Sequence, residues 1–159
     1  MKMNSVIFRE YDIRGEVNID FDTDFAFQLG NAFISYLNKY KKTSSPIVCV
    51  GYDARLSSPS LAEALIAGMK QGGAHVHKLG LVTTPITYFS TFGLKGVDKP
   101  IDGAIMVTGS HNPPEYNGFK ISVGNSTIFG NEIKKLELII NQKQLAKGTG
   151  KETFYDVIP

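Results

Sequence analysis

The sequence predicts an α/β fold: a mixed, mainly parallel sheet with helices on both faces. Three observations carry this expectation. Short apolar, β-branched runs at residues 47–51, 74–79 and 103–107 have the length and composition of strands buried on both faces. Between them lie segments whose apolar residues recur at three- and four-residue spacing, as on one face of a helix. Strand and helix therefore alternate, which favours parallel strands joined by helical crossovers. A chain of 159 residues with 42% hydrophobic content fits one domain with a proper core and would be cramped as two.

Taken in order, the first helix spans about residues 21–40, with Phe25, Leu29, Ala32, Phe33, Tyr36, Leu37 and Tyr40 on one stripe. Asp22 or Asp24 faces its positive end, and Pro46 disfavours helix in the residue before it. The strand IVCVG is followed by LSSPSLAEALIAGMKQGG. In it Ser58 is the expected N-cap and Pro59 the first helical residue, Leu61, Leu65, Ile66 and Met69 share a face, and Gly72-Gly73 is the stop. A strand at 74–79, a short helix at 85–92 and the strand GAIMV follow. FKISVGNSTIF reads as a hairpin around Gly124-Asn125, and a last helix covers 131 to about 143 through Ile133, Leu136, Ile139 and Ile140. The Gly-, Thr- and Lys-rich tail at 148–159 reads as the start of a linker leaving a domain of residues 1–147.

Composition excludes several function classes. Seventeen Lys and Arg against fifteen Asp and Glu leave a charge of +2, too little to suggest a nucleic-acid or anionic-membrane surface. No apolar run reaches membrane-spanning length, and the first residues lack a secretory h-region, so a cytoplasmic location is expected. The single cysteine, Cys49, sits in an apolar run and rules out an internal disulfide. His75 and His77 alternate onto one strand face, but no Cys or carboxylate at metal-site spacing joins them. Neither a dinucleotide fingerprint nor a Gly-Lys-Ser/Thr phosphate loop is present.

Chemistry concentrates after the strand GAIMV, where ligands of open parallel sheets bind. The segment TGSHNPPEYNGFK brings together the Ser110 hydroxyl, the His111 imidazole, the Asn112 amide and the Lys120 ammonium, with Gly109 freeing the backbone and Pro113-Pro114 stiffening it. Such a composition also suits an ordinary connection. A hydrolase elbow fits poorly, because Gly-x-Ser-x-Gly is absent.

TGSHNPPEYNGFK closely resembles the serine loop of the α-D-phosphohexomutases of the phosphomannomutase and phosphoglucomutase type. FREYDIRG resembles that family's N-terminal segment, and GYDARLSSP its second-strand segment; the three occur in the family's order and span most of the chain. The resemblance implies the fold of the family's first domain and a phosphoserine at Ser110 that passes phosphate between C6 and C1 of a hexose through a bisphosphorylated sugar. It places Arg14, His111 and Lys120 beside Ser110 as catalytic groups, with His111 assisting proton transfer or phosphate binding. It assigns Tyr11, Arg14, Asn112 and Lys120 to the sugar phosphate. Arg55 either touches the sugar or orients the loop through hydrogen bonds.

Gly109 stands where many relatives have alanine, a change expected to loosen the loop. The family's aspartate metal loop, sugar-recognition loop and second phosphate-binding loop belong to later domains and do not occur in this sequence. Mg²⁺ is therefore expected to reach Ser110 only through its phosphate and only with that aspartate loop. The expected partners are a hexose phosphate, a hexose bisphosphate and the remaining mutase domains. The isolated domain is expected to be inactive, and a free-standing phosphosugar- or anion-binding module is the alternative.

Overall fold

The computed structural model describes residues 4–157. Among these residues seven strands form one sheet: β1 (Ile13–Glu16), β2 (Ile47–Tyr52), β3 (His75–Leu81), β4 (Gly103–Val107), β5 (Tyr116–Val123), β6 (Ser126–Thr127) and β7 (Lys151–Phe154). Four helices accompany them: α1 (Thr23–Tyr40), α2 (Ser58–Gln71), α3 (Thr84–Phe89) and α4 (Asn131–Asn141). The sheet runs β1-β5-β4-β2-β3-β7, with β6 beside β5. β4, β2, β3 and β7 are parallel, β5 runs against them, and β1, antiparallel to β5, points the same way as β4 again. The predicted mixed, mainly parallel sheet is thus present.

Side-chain alternation divides the core. Val48, Val50, Ile105, Val107, Phe119 and Ile121 face α1, α2 and α4, while Cys49, Leu79, Ala104 and Met106 face the opposite side. That side is covered by α3 and the 3-10 turn Ser90–Phe92. Burial pushes the Cys49 thiol up to about 11, against a smaller lowering by a hydrogen bond with Ser90, so it stays a neutral core group. No helix among the described residues is long and apolar enough to cross a membrane.

α1 begins where expected because the Asp22 carboxylate accepts from the Phe25 N–H at 3.0 Å. Phe21 and Phe25 then pack with Phe119 of β5, Phe21 at 5.6 Å between ring centres, which ties the N-terminal segment to the sheet. α1 and α2 cross at glycines. A Cβ on Gly30 would overlap the Leu65 carbonyl oxygen, and one on Gly68 would overlap that of Phe27. The backbones can meet there only because neither residue has a side chain.

Two expectations need correction. Ser58 is not the cap of α2; Ser57 occupies that position without a capping bond, and the buried Ser58 hydroxyl donates instead to Asp53 Oδ1 at 2.6 Å. The tail does not leave as a featureless linker, since Lys151–Phe154 pair in parallel with β3. Gly148 and Gly150 let the chain pass close over the end of α2, donating to the carbonyls of Gln71 and Lys70. His75 and His77 lie against this strand: their rings meet at a tilt of 40° with centres 4.5 Å apart, His75 Nε2 meets Thr153 Oγ1 at 2.9 Å, and His77 packs edge-on to Tyr155.

The glycine crossing gives a direct prediction. Gly68→Ala gains helix propensity but forces α1 and α2 apart, so we expect a loss of about 1–3 kcal/mol in stability. A denaturation midpoint that rises for this variant would contradict the close backbone contact.

Candidate active site

The parallel strands β2 and β4 end side by side, joined beyond their tips by the Asp53 N–H donating to the Val107 carbonyl at 3.0 Å. The loop after β4 starts at Thr108 and turns at Ser110, whose φ of 52° lies in the left-handed region. This turn leaves main-chain carbonyls without ladder partners. Arg55 supplies them: Nη1 donates to the carbonyls of Pro113 (2.6 Å) and Tyr116 (2.9 Å), Nη2 to those of Ser110 (3.0 Å) and Asn112 (2.7 Å). Of the two roles left open for Arg55, the geometry is that of a loop organiser.

Arg55 is itself held. Its Nε lies 3.3 Å from Asp53 Oδ2, which also accepts from the Thr108 hydroxyl at 2.7 Å, and Thr108 Oγ1 accepts from the Ser110 N–H at 2.9 Å. Burial alone would raise the Asp53 carboxyl. Hydrogen bonds from Ser58, Thr108 and the Arg55 N–H, with the Arg55 charge, outweigh it and hold the carboxyl below its usual range. The buried Asn117 amide donates to the Ser57 and Ser58 hydroxyls at 2.8 and 2.9 Å and joins the base of α2 to β5. A Cβ on Gly109 would sit 2.5 Å from Arg55 Cζ, so the glycine lets the guanidinium lie directly against the loop backbone.

The antiparallel pair β1–β5 brings the charges. Ile13 pairs with Phe119 and Arg14 with Gly118, so continuing the register one residue sets Asp12 opposite Lys120. Period-two alternation puts Asp12, Arg14 and Lys120 on one face and buries Ile13 and Phe119 on the other. Arg14 Nη2 pairs with Asp12 Oδ2 and lies 3.3 Å from Ser110 Oγ, while Nη1 donates to Asn112 Oδ1 at 2.8 Å. Lys120 Nζ reaches the same Asp12 oxygen at 3.5 Å. Ser110, Arg14, Asn112 and Lys120 are therefore brought together, around a carboxylate that the motifs had not singled out.

The remaining candidates stand further out. His111 is exposed next to Ser110, and its ring takes part in none of the hydrogen bonds found among the described residues. Tyr11 is 71% exposed and shares with Lys120 the lining of a cavity of about 240 Å³ that includes Thr87, Tyr88 and Met106. Among the described residues no three His, Cys, Asp or Glu side chains are grouped as metal ligands. The Asp12 carboxylate is engaged by two cations. This donor set does not by itself suit Mg²⁺, and what the chain offers a phosphate is positive charge and positioning.

Asp12, Asp53, Thr108 and Asn117 escaped the sequence reading as site-builders. Asp12 was detectable from the alternation Asp-Ile-Arg once the strand was recognised; the others answer only to tertiary contacts. For the loop, Arg55→Lys removes the planar fork that serves four carbonyls. We expect a stability loss of about 1–3 kcal/mol and faster amide exchange in the 108–116 loop. The Asp53 contribution is fully present above pH 3.8 and is lost as pH falls through its lowered pKa, so Asp53→Asn should flatten the acid limb of the stability profile. Unchanged exchange in Arg55→Lys would show that the guanidinium does not order the loop.

Comparison with known proteins identifies the family. Residues 5–147 match the family described as phosphoglucomutase/phosphomannomutase, alpha/beta/alpha domain I. A phosphomannomutase/phosphoglucomutase of Pseudomonas aeruginosa is 39% identical over 153 residues, which cover 96% of this chain and 31% of that protein. A phosphoglucomutase of Neisseria gonorrhoeae is 38% identical over 136 residues, covering 86% of this chain and 28% of its own. The crystal structure of a phosphoglucomutase/phosphomannomutase family protein from Burkholderia thailandensis superposes with a TM-score of 0.89 at 38% identity, over 98% of this chain and 34% of that one. The chain thus spans about a third of the length of these relatives. On a match that takes in nearly its whole length, it belongs to the phosphoglucomutase/phosphomannomutase family, as the α/β/α domain I.

Proposed function

We propose that this domain supplies the phosphoryl-carrying serine of a phosphohexomutase, Ser110, which interconverts hexose 6-phosphate and hexose 1-phosphate through a bisphosphorylated sugar. The observation that carries the reading is the exposed Ser110 hydroxyl on a loop pinned by Arg55, with the Arg14 guanidinium 3.3 Å from its oxygen. A phosphoserine carries nearly two negative charges and three acceptor oxygens, and Arg14 with Lys120 provides donors on one side of it.

In the first half-reaction a sugar hydroxyl oxygen attacks phosphorus: the bond from phosphorus to Ser110 Oγ breaks, the bond to the sugar oxygen forms, and the proton lost by the sugar hydroxyl ends on Ser110 Oγ. The bisphosphate then presents its other phosphate, and in the second half-reaction Ser110 Oγ attacks that phosphorus, the bond to the sugar oxygen breaks, and the serine proton ends on the sugar oxygen, which restores phosphoserine. No oxidant or further co-reactant is consumed. Arg14 and Lys120 stabilise charge on the transferring group, and His111, exposed beside the serine, is placed to move the proton or bind phosphate. Asn112 holds Arg14 and contacts the substrate phosphate; Tyr11 lines the sugar side. Mg²⁺, when bound through the phosphate with carboxylates from further polypeptide, would neutralise charge on the transferring oxygens. Because Ser110, His111 and Tyr11 all face solvent, the isolated chain is proposed to be inactive or nearly so.

The test is intact-mass and peptide mass spectrometry of the complete natural protein after incubation with a glucose bisphosphate. One added phosphoryl group on Ser110 is expected, and Ser110→Ala should abolish both labelling and turnover while keeping the parent melting temperature within a few degrees, on the order of a neutral surface change. Persistent absence of label on the parent would favour an anion-binding module without turnover.

A further inference from the structure

Asp12, the one buried Asp or Glu among the described residues, has no place in the reaction just described. Its Oδ2 is shared by Arg14 Nη2 and by Lys120 Nζ at 3.5 Å. The Asp12 side chain is 10% exposed, that of Arg14 9% and that of Lys120 34%. The two cations come from different strands and would repel each other without a carboxylate between them, and Lys120 is the one with room to turn into solvent.

Building on the mutase reading of Ser110, we propose that Asp12 is a positioning residue, the counter-charge that keeps Arg14 and Lys120 beside Ser110 while the serine carries no phosphoryl group. Arg14 Nη2 faces Asp12 and the Ser110 hydroxyl together, so it can exchange one partner for the other without leaving its place. With a free hydroxyl the trio of Asp12, Arg14 and Lys120 carries one net positive charge, enough to attract the phosphate of a sugar. With a phosphoserine dianion the balance becomes negative, and the carboxylate opposes retention of the group. Asp12 therefore both holds the cations ready and keeps the phosphoserine a willing donor.

The role separates from plain structural support by its kinetic pattern. In Asp12→Asn the cations gain free charge, so anionic substrate and phosphoserine are held more tightly while the cations lose their placement. In the complete natural protein we expect kcat to fall about 10- to 100-fold, KM for the hexose phosphate to fall rather than rise, and the Ser110 phosphoryl group to persist longer by mass spectrometry. In a Lys120→Ala background the same Asp12→Asn change should cost much less than in the parent, because one of the two cations it positions is already gone. An unchanged kcat, or a fall in kcat with KM raised and multiplicative losses in the double variant, would overturn the proposal. If Asp12→Asn fails to fold, Asp12→Glu keeps the charge but shifts it by one methylene: reduced kcat at near-constant KM supports positioning, and parent kinetics overturns it. Failure of the mutase reading itself is visible separately, as a parent protein that neither turns over nor labels at Ser110, and it would remove this role as well.

Discussion

Four main-chain carbonyls of the loop after β4, those of Ser110, Asn112, Pro113 and Tyr116, converge on the guanidinium of Arg55. The loop turns through a left-handed serine, and of these carbonyls only that of Pro113 also accepts a main-chain bond among the described residues, from the Tyr116 N–H at 3.0 Å; a carbonyl left unpaired where it is shielded from water would cost on the order of 1–3 kcal/mol. Arginine is suited to the task because its planar fork offers five donors in fixed directions, where lysine has one flexible point charge. Other features of the loop follow from this arrangement. The bare Gly109 lets the guanidinium lie against the backbone, and Asp53 must stay ionised to balance it while also accepting from Thr108. The segment GYDARLSSP thus serves the site from a distance: its charged pair orders the loop, and its two serines fasten Asn117 at the root of β5.

The second constraint is the register between β1 and β5. A one-residue slip of β1 would turn Asp12 and Arg14 into the core and bring Ile13 to the charged face, away from the buried side on which Phe119 packs with Phe21 and Phe25. Core packing on one side of these two strands therefore fixes the electrostatics on the other. It also explains why residues more than a hundred positions apart in the chain converge on one serine, since β5 runs back antiparallel to β4 and returns Gly118 and Lys120 to the level of the loop.

Much of this architecture was legible in the sequence, for identifiable reasons. The strand GAIMV matched its expected limits because all five of its residues are buried, which gives an uninterrupted apolar run. α1 was legible from its stripe and its acidic start. β7 was not, because its four residues are all exposed and lack an apolar face; its place is set by backbone bonds and by Gly148 and Gly150 passing close to α2. Ser58 misled for a related reason. Serine before proline is a common cap signal, but here the hydroxyl has a stronger acceptor in the Asp53 carboxylate. At the site, the motifs picked out the groups that reach outward, Ser110, Arg14, Asn112 and Lys120, and passed over those that hold them, Asp12, Asp53 and Thr108. Residues of the second kind act through geometry that only the folded chain displays.

The division between outward-reaching and supporting residues bears on what this domain contributes to the proposed reaction. Arg14 reaches the Ser110 hydroxyl and Lys120 is joined to it through Asp12, while Ser110, His111 and Tyr11 are exposed to solvent. Phosphoryl transfer requires charge stabilisation around all the equatorial oxygens, in-line placement of the attacking hydroxyl and exclusion of water that would compete with the sugar as acceptor. The domain meets the first requirement in part and, through Arg55, fixes the direction from which the second must be met. The third requires something to cover the loop, and the bisphosphorylated sugar must turn over between half-reactions. A rigid serine loop beside an open approach is compatible with both demands, since the covering part can move while the phosphoryl carrier stays in place.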